Sequence, residues 1–216
     1  MLKFDFHVHT CQGDHSEIKI EKAVQILKKK GFDGAVFLDH DAIPRKEKIK
    51  DFLIIYGEEV STSEGHLVGI NLKKTIKPLM SSEQTAKEIR KQGGTVILPH
   101  PYDYLRIEIN RGRLNPELID AVEVYNGRTL WPWASGKAKE FCEQNKLPEV
   151  GCSDAHFYKE LGSAYTLVDA DPNVKSVLKA LKHGKVQAFG SYKPPIIQHF
   201  KGGFLKAYNR LFNEKL

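Results

Sequence analysis

Short apolar runs recur along the chain and alternate with stretches in which apolar positions return every three or four residues. Leu2 to Val8 reads as a strand. Ile18, Ala23, Val24, Ile26 and Leu27 mark the apolar positions of an amphipathic helix over Ile18 to Lys30, with Gly31 as its stop. Gly34 to Leu38 is a buried apolar strand, and Phe52 to Val60 and His66 to Asn71 form two short strands joined by Thr62 to Gly65. Ser82 to Gln92 is a helix ended by Gly93 and Gly94, followed by strands over Thr95 to Leu98 and Ala121 to Tyr125. A helix over Ala134 to Asn145 leads to a strand over Glu149 to Cys152, and Ala164 to Val168 and Val174 to His183 give one more strand and helix. Strand followed by helix, repeated nearly throughout, predicts a parallel sheet with helices outside it. No internal repeat or Pro/Gly-rich linker splits the chain. The expectation is one domain over residues 1–216, with 186–216 a C-terminal appendage in which Gly202 to Leu216 is a terminal amphipathic helix.

Composition changes this picture little. At 216 residues the chain can bury a substantial core without disulfides or a structural metal. The net charge of +6 leans toward anionic substrates, although runs such as Lys28-Lys29-Lys30 read as solvated helix faces. Three cysteines, Cys11, Cys142 and Cys152, give no disulfide framework and suit a reducing, cytoplasmic setting. No leader segment is expected at the N-terminus, and no apolar run approaches the roughly 20 residues that cross a bilayer.

Chemistry enters through position, because the apolar strands repeatedly end in His, Asp or Glu. The first ends in His7-Val8-His9, and residues two apart in a strand share a face, so both rings can reach one ion. The next ends in Asp39-His40-Asp41. Glu58 and Glu59 lie toward the end of another, and His66 opens the strand after it. His100 follows Leu98; Glu123 lies in a strand that runs on to Asn126 and Arg128; Asp154 and His156 follow Cys152. In a parallel αβ barrel all strand C-termini share one end, so these residues converge there. Singly, each is an ordinary polar strand end; jointly they are a pattern, with seven of the nine histidines before residue 157. Imidazole mixed with carboxylate suits Zn²⁺, Mn²⁺ or Fe²⁺ better than Mg²⁺ or Ca²⁺. The donors exceed the usual four of one zinc ion, which implies two or three ions. His183 and His199 fall outside the pattern, and neither Cys11 nor Cys152 is taken as a ligand.

Segments Asp5 to Thr10, Leu38 to Asp41, Gly57 to Ser61, Gly65 to Leu67, Pro99 to Pro101, Val122 to Asn126 and Gly151 to His156 together resemble the polymerase and histidinol phosphatase (PHP) family, in its order. The resemblance covers residue 4 to about 170 and is closest to the stand-alone phosphoesterases of that family. It implies a distorted α/β, TIM-like (β/α)7 barrel with a two- or three-metal centre that hydrolyses phosphoesters. It also implies His7, His9, His40, Glu59, His66, His100, Asp154 and His156 as metal ligands. Glu59 is preferred over Glu58 because the family reads Gly-x-Glu, and it would bridge two ions. A further ligand follows the first pair: Asp14 fits the alignment, although Gly13 stands where the family has Ser, and His15 competes with it. Arg128 is placed to grip a substrate phosphate through its planar fork.

The expected reaction is attack on phosphorus by a water or hydroxide held between two ions, with Asp154 or His156 protonating the leaving oxygen. A small phosphorylated compound, including a nucleotide or short oligonucleotide, is the expected substrate, with no membrane partner. Three rivals stand beside it: a metal-dependent 3′–5′ exonuclease or oligonucleotide-end nuclease, an amidohydrolase, and a non-catalytic PHP-fold subunit of a nucleic-acid-processing complex. Trp131 and Trp133, just after Arg128, could stack on a base or pack over the barrel mouth. The amidohydrolase ranks low because that class carries a metal-bridging Lys, and the non-catalytic subunit because the ligand set is complete. Specificity is expected in Tyr102 to Arg113 and Gly127 to Trp133.

Overall fold

A computed structural model describes residues 1–103, 115–129 and 131–190. Nine strands form one curved sheet: β1 (Leu2–His9), β2 (Gly34–Leu38), β3 (Leu53–Thr62), β4 (Gly65–Ile70), β5 (Thr95–Leu98), β6 (Ala121–Asn126), β7 (Glu149–Cys152), β8 (Ala164–Val168) and β9 (Val186–Gly190). Their order is β7-β6-β5-β4-β3-β2-β1-β8-β9. β1 then meets the chain just after β7, where Val8 pairs in parallel with Ala155 and the His9 amide donates to the Ala155 carbonyl at 3.0 Å. Seven strands thus close into a barrel. The antiparallel β8–β9 pair branches from the other half of β1, with Leu2 opposite Val168.

Among the described residues four α-helices flank the sheet: α1 (Ile20–Lys29), α2 (Ser82–Lys91), α3 (Pro132–Asn145) and α4 (Val174–Lys182). α1 buries Ile20, Ala23, Val24 and Leu27, a stripe with helical spacing. Its acidic first turn and basic last turn complement the helix dipole, and Gly31, with a φ of 74°, ends it. α2 opens on a reciprocal cap in which the Gln84 amide donates to the Ser81 hydroxyl and the Ser81 amide donates to the Gln84 side chain.

The expected barrel is present, but the sheet is mixed rather than parallel. β3 and β4 form an antiparallel hairpin, and β4 is also antiparallel to β5. A strand that reverses after a tight turn needs no crossover helix. The hairpin brings the start of β4, and with it His66, back to the end of the barrel where β3 finishes. Val186–Gly190, expected to begin an appendage, is the edge strand of the sheet and pairs with β8 throughout. Its half-buried alternation carries only a weak apolar signal. The proposed terminal helix over Gly202–Leu216, His199, and residues 104–113 of the expected specificity loop lie outside the described residues.

Phe4, Phe6, Val36, Leu38, Ile55, Val68, Ile70, Ile97, Ala121, Val150 and Cys152 pack together as the barrel interior. Val177, Ala180 and Leu181 of α4 join the same cluster and close the end where β1 begins. Strand residues of opposite parity face outward: Ala35 and Phe37 pack with α1, and Val96, Leu98, Val122 and Val124 with α2 and α3. Two glycines make close approaches possible. A Cβ on Gly34 would lie 2.1 Å from the Phe4 ring, and one on Gly151 would lie 2.6 Å from the carbonyls of Tyr165 and Phe189.

Candidate metal centre

The polar cluster is the continuation of the interior parity. Two residues beyond Leu38 comes His40; along the same rows, Ile55 leads to Glu59, Val68 back to His66, Ala121 to Glu123, and Cys152 to Asp154. β1 is the exception. Its register with β2 shifts between Asp5 and Val8, so Phe6 and His7 both face inward while Val8 packs with α1. The chain leaves several strands through left-handed backbone, with φ of 53° at Asp41, 29° at His100 and 51° at Asp154. For residues with a Cβ this is strained; the side chains of His100 and Asp154 reach the cluster, whereas Asp41 accepts from the Ser61 amide at 2.7 Å.

Glu59 lies at the middle. Its Oε2 is 3.2 Å from His9 Nε2, 3.3 Å from His40 Nδ1 and 3.5 Å from His7 Nε2. Its Oε1 is 3.1 Å from His100 Nε2 and 3.3 Å from His66 Nδ1. Asp154 Oδ1 is 3.4 Å from His9 Nε2, 3.6 Å from His156 Nδ1 and 3.8 Å from His7 Nε2. Glu58 faces away and accepts from the Ile76 amide at 2.9 Å, and burial pushes its pKa up to about 7.

The geometry fits metal ions. His7 Nε2 and His9 Nε2 stand 3.0 Å apart. At the ~2.0–2.1 Å of a zinc–imidazole bond, two nitrogens on one ion are about 3.0–3.4 Å apart. The His7 Nδ1–H donates to Glu123 Oε1 at 2.7 Å, which leaves the Nε2 lone pair directed into the cluster. The His156 Nδ1–H likewise donates to the Asp154 carbonyl at 3.0 Å. Three donor sets converge: His7, His9 and Glu59; His40, Glu59 and His66; and His9, His40 and His156. A fourth, His7, Glu123 and Cys152, is a supporting layer. Burial and the neighbouring carboxylates hold the Cys152 thiol protonated, well above its usual range.

Electrostatics agree. Burial opposes charging His7, but Glu123, Asp154 and Glu59 outweigh it and lift its pKa well above the imidazole value. Burial also opposes ionising Glu59, and His40, His7 and His66 outweigh it and hold the carboxyl well below the usual range. Burial, reinforced by His9, His66 and His15 against the pull of Glu59, lowers His40 to about 3. Burial, His9 and Arg128 depress His156 strongly. The interior therefore offers carboxylates that attract positive charge beside imidazoles that keep their lone pairs.

Asp14 is exposed and belongs to none of the converging sets among the described residues, whereas the His15 ring stands edge-on to His40 at 5.2 Å. Arg128 is neither a surface residue nor an open fork. It is 6% exposed, and its Nη1 lies 3.3 Å from both oxygens of Glu160. Glu160 also accepts from the amides of His156 and Phe157 at 2.8 and 3.0 Å, tying Arg128 to the connection that carries His156.

Sequence reasoning left the supporting residues without roles. Glu123 Oε2 accepts from the His100 amide at 3.0 Å and from Asn126 Nδ2 at 2.9 Å, and Asn126 Nδ2 also reaches Asp154 Oδ2 at 3.1 Å. Asp39 accepts from the Thr10 amide and hydroxyl at 2.8 and 2.6 Å and fixes the chain after β1. Asp5 accepts from the amides of Ser153 and Gly162 at 2.9 and 3.2 Å across the barrel closure. The inward parity of Glu123 was readable from Ala121; the long-range bonds had no local signal.

Comparison with known proteins agrees with the fold. Residues 132–186 match the family described as PHP-associated. The chain is 31% identical over 141 residues to the uncharacterised protein MJ1587 of Methanocaldococcus jannaschii, covering 58% of this chain and 82% of that one. A two-domain protein of Bacteroides vulgatus containing a predicted PHP-like metal-dependent phosphoesterase superposes with a TM-score of 0.66 at 20% identity, covering 88% of this chain and 64% of that one. Endonuclease Q, in complex with a 27-mer duplex bearing an abasic lesion at the active site, superposes with a TM-score of 0.60 at 14% identity, covering 84% of this chain and 56% of that one. No helix among the described residues is long and apolar enough to cross a membrane.

Proposed function

Because the chain belongs to the PHP family, we propose that it is a metal-dependent phosphoesterase. It hydrolyses a phosphate mono- or diester at a centre of two or three divalent transition-metal ions, Zn, Mn or Fe. The observation that carries this is Glu59, whose two oxygens face different sets of histidines within 3.5 Å. A carboxylate so placed would help hold two ions, one with His7 and His9 and one with His66 and His100. His40, Asp154 and His156 complete the spheres, and His15 or Asp14 adds a donor at the open rim. When bound, the ions supply a water nucleophile activated near neutral pH and neutralise charge on the phosphoryl group.

The chain's own groups do the rest. Glu123 keeps the His7 proton on Nδ1, so that Nε2 always faces the cluster. Asn126 holds the Asp154 carboxylate in place. Glu160 aims Arg128, whose remaining N–H groups meet phosphoryl oxygens in a partly dry site. Of Asp154 and His156, the one not holding an ion would take the proton that the attacking water loses and pass it to the leaving oxygen.

A nuclease acting on oligonucleotide ends is the second reading, favoured by the likeness to Endonuclease Q. Elemental analysis of the purified protein, with phosphomonoester and phosphodiester panels, tests both. Two or three ions per chain and turnover of a phosphoester are expected. A metal-free enzyme with full activity would refute the proposal.

A further inference from the structure

We infer that Trp131 and Trp133 form an aromatic shelf at the barrel mouth that stacks an unpaired nucleobase, so that the substrate is a nucleotide or a single-stranded end. This rests on the phosphoesterase reading above. β6 runs toward the mouth and ends at Asn126, a tight turn over 126–129 follows, and α3 starts at Pro132. Both indoles therefore sit where α3 leaves the rim. Trp131 is three residues from Arg128, within about 11 Å along the chain.

Neither indole belongs to the buried cluster through which α3 packs on the sheet. α3 packs through Ala138 and Cys142, which lie in the cluster with Val122 and Val124, and Ala134 is buried on the same helix. Trp131 occupies the N-cap without a side-chain capping bond. The two indoles are 39% and 41% exposed, unusual for the residue with the largest apolar surface. Their rings lie within 24° of parallel with centroids 6.2 Å apart, a common aromatic surface rather than two stray side chains. Lys137, one turn along, holds its Nζ 5.2 Å over the Trp133 ring. Flat π-surface, an adjacent cation and a phosphate-directed site within one short segment match a base joined to a phosphate. Every base has a π-face, so the shelf recognises bases as a class without reading sequence.

These two tryptophans are the only ones in the chain, so all its indole fluorescence reports on the shelf. The full metal-loaded chain is titrated with adenosine 5′-monophosphate, ribose 5-phosphate and a four-residue oligothymidylate. Saturable quenching by one or both base-bearing ligands, with none by ribose 5-phosphate, is expected, and the tighter of the two tells a nucleotide substrate from a strand end. In kinetics, Trp131→Ala with Trp133→Ala raises KM for the base-bearing ester about 5- to 150-fold and leaves glycerol phosphate unchanged. Phe at both positions restores most of the loss. Absent quenching, equal quenching by ribose 5-phosphate, or equal loss on both esters overturns the shelf. Should no phosphoester turn over, the proposed activity fails, and the fluorescence titration still decides the shelf.

Discussion

The two sides of the histidine ring are built differently. On the β1–β6–β7 side, the side chains of His7 and His9 are 0% and 2% exposed; the His7 proton is fixed by Glu123 and the Asp154 carboxylate by Asn126. On the β2–β4 side, the side chains of His40 and His66 are 27% and 19% exposed. Glu59 faces both, and His40 links them as well, grouping with His9 and His156 on one hand and with Glu59 and His66 on the other. A ligand whose orientation is fixed before the ion arrives holds it more tightly than one that must be ordered on binding. One side thus reads as a rigid seat and the other as an open seat beside which substrate enters.

The most severe break removes what the sides share. Glu59→Gln should reduce turnover by about 1,000-fold or more, some 4 kcal/mol, with circular dichroism unchanged and metal content reduced. A fully active variant would show that the sides do not depend on a shared carboxylate. Glu123→Ala attacks the rigid seat alone. It should weaken metal affinity about 10–100-fold, whereas His66→Ala should empty the open seat and leave the other loaded. Chelator titration with elemental analysis distinguishes them. In the unsubstituted protein, one fraction of the metal should leave fast and the remainder slowly; release in a single phase would contradict the division.

Arg128→Ala comes next. It should lower kcat/KM about 30- to 1,000-fold, equivalent to about 2–4 kcal/mol, at constant metal content, with Lys restoring only part. Because the truncation takes the cation away from the buried Glu160, Tm should fall as well. Loss of Tm without loss of kcat/KM beyond threefold would make Arg128 a brace for the His156 connection only. The smallest effect concerns thiols. Cys11, exposed on the connection beside the open seat, should react with a maleimide in the native protein, while buried Cys142 and Cys152 should not until denaturant is added. Burial pushes the Cys142 thiol up to about 12 and Cys152 well above its usual range, so neither supplies thiolate near neutral pH.

Much of the centre was legible in sequence because it obeys strand periodicity. His40, Glu59, His66 and Asp154 all extend inward-facing rows; the preference for Glu59 over Glu58 came from the family resemblance, whose pattern reads Gly-x-Glu. The helices over Ser82–Lys91 and Val174–Lys182 fell where their caps and stops put them. What periodicity does not encode was missed. The antiparallel β4 depends on a turn and on pairing with β5, 25 or more residues on. The Arg128–Glu160 pair joins two connections 32 residues apart. The choice between Asp14 and His15 turns on the path of one loop, and the structure brings His15 against His40.

The register shift in β1 has a consequence for how such a site varies. A regular strand has a single phase: if Phe4 and Phe6 face the core, residues 7 and 9 face the helices. The slip between Asp5 and Val8 splices two waves of opposite phase into eight residues, one composed for packing and one for coordination. Wall and mouth are thereby uncoupled. The core half can drift in volume and the coordinating half can change its donors, and neither edit transposes the other.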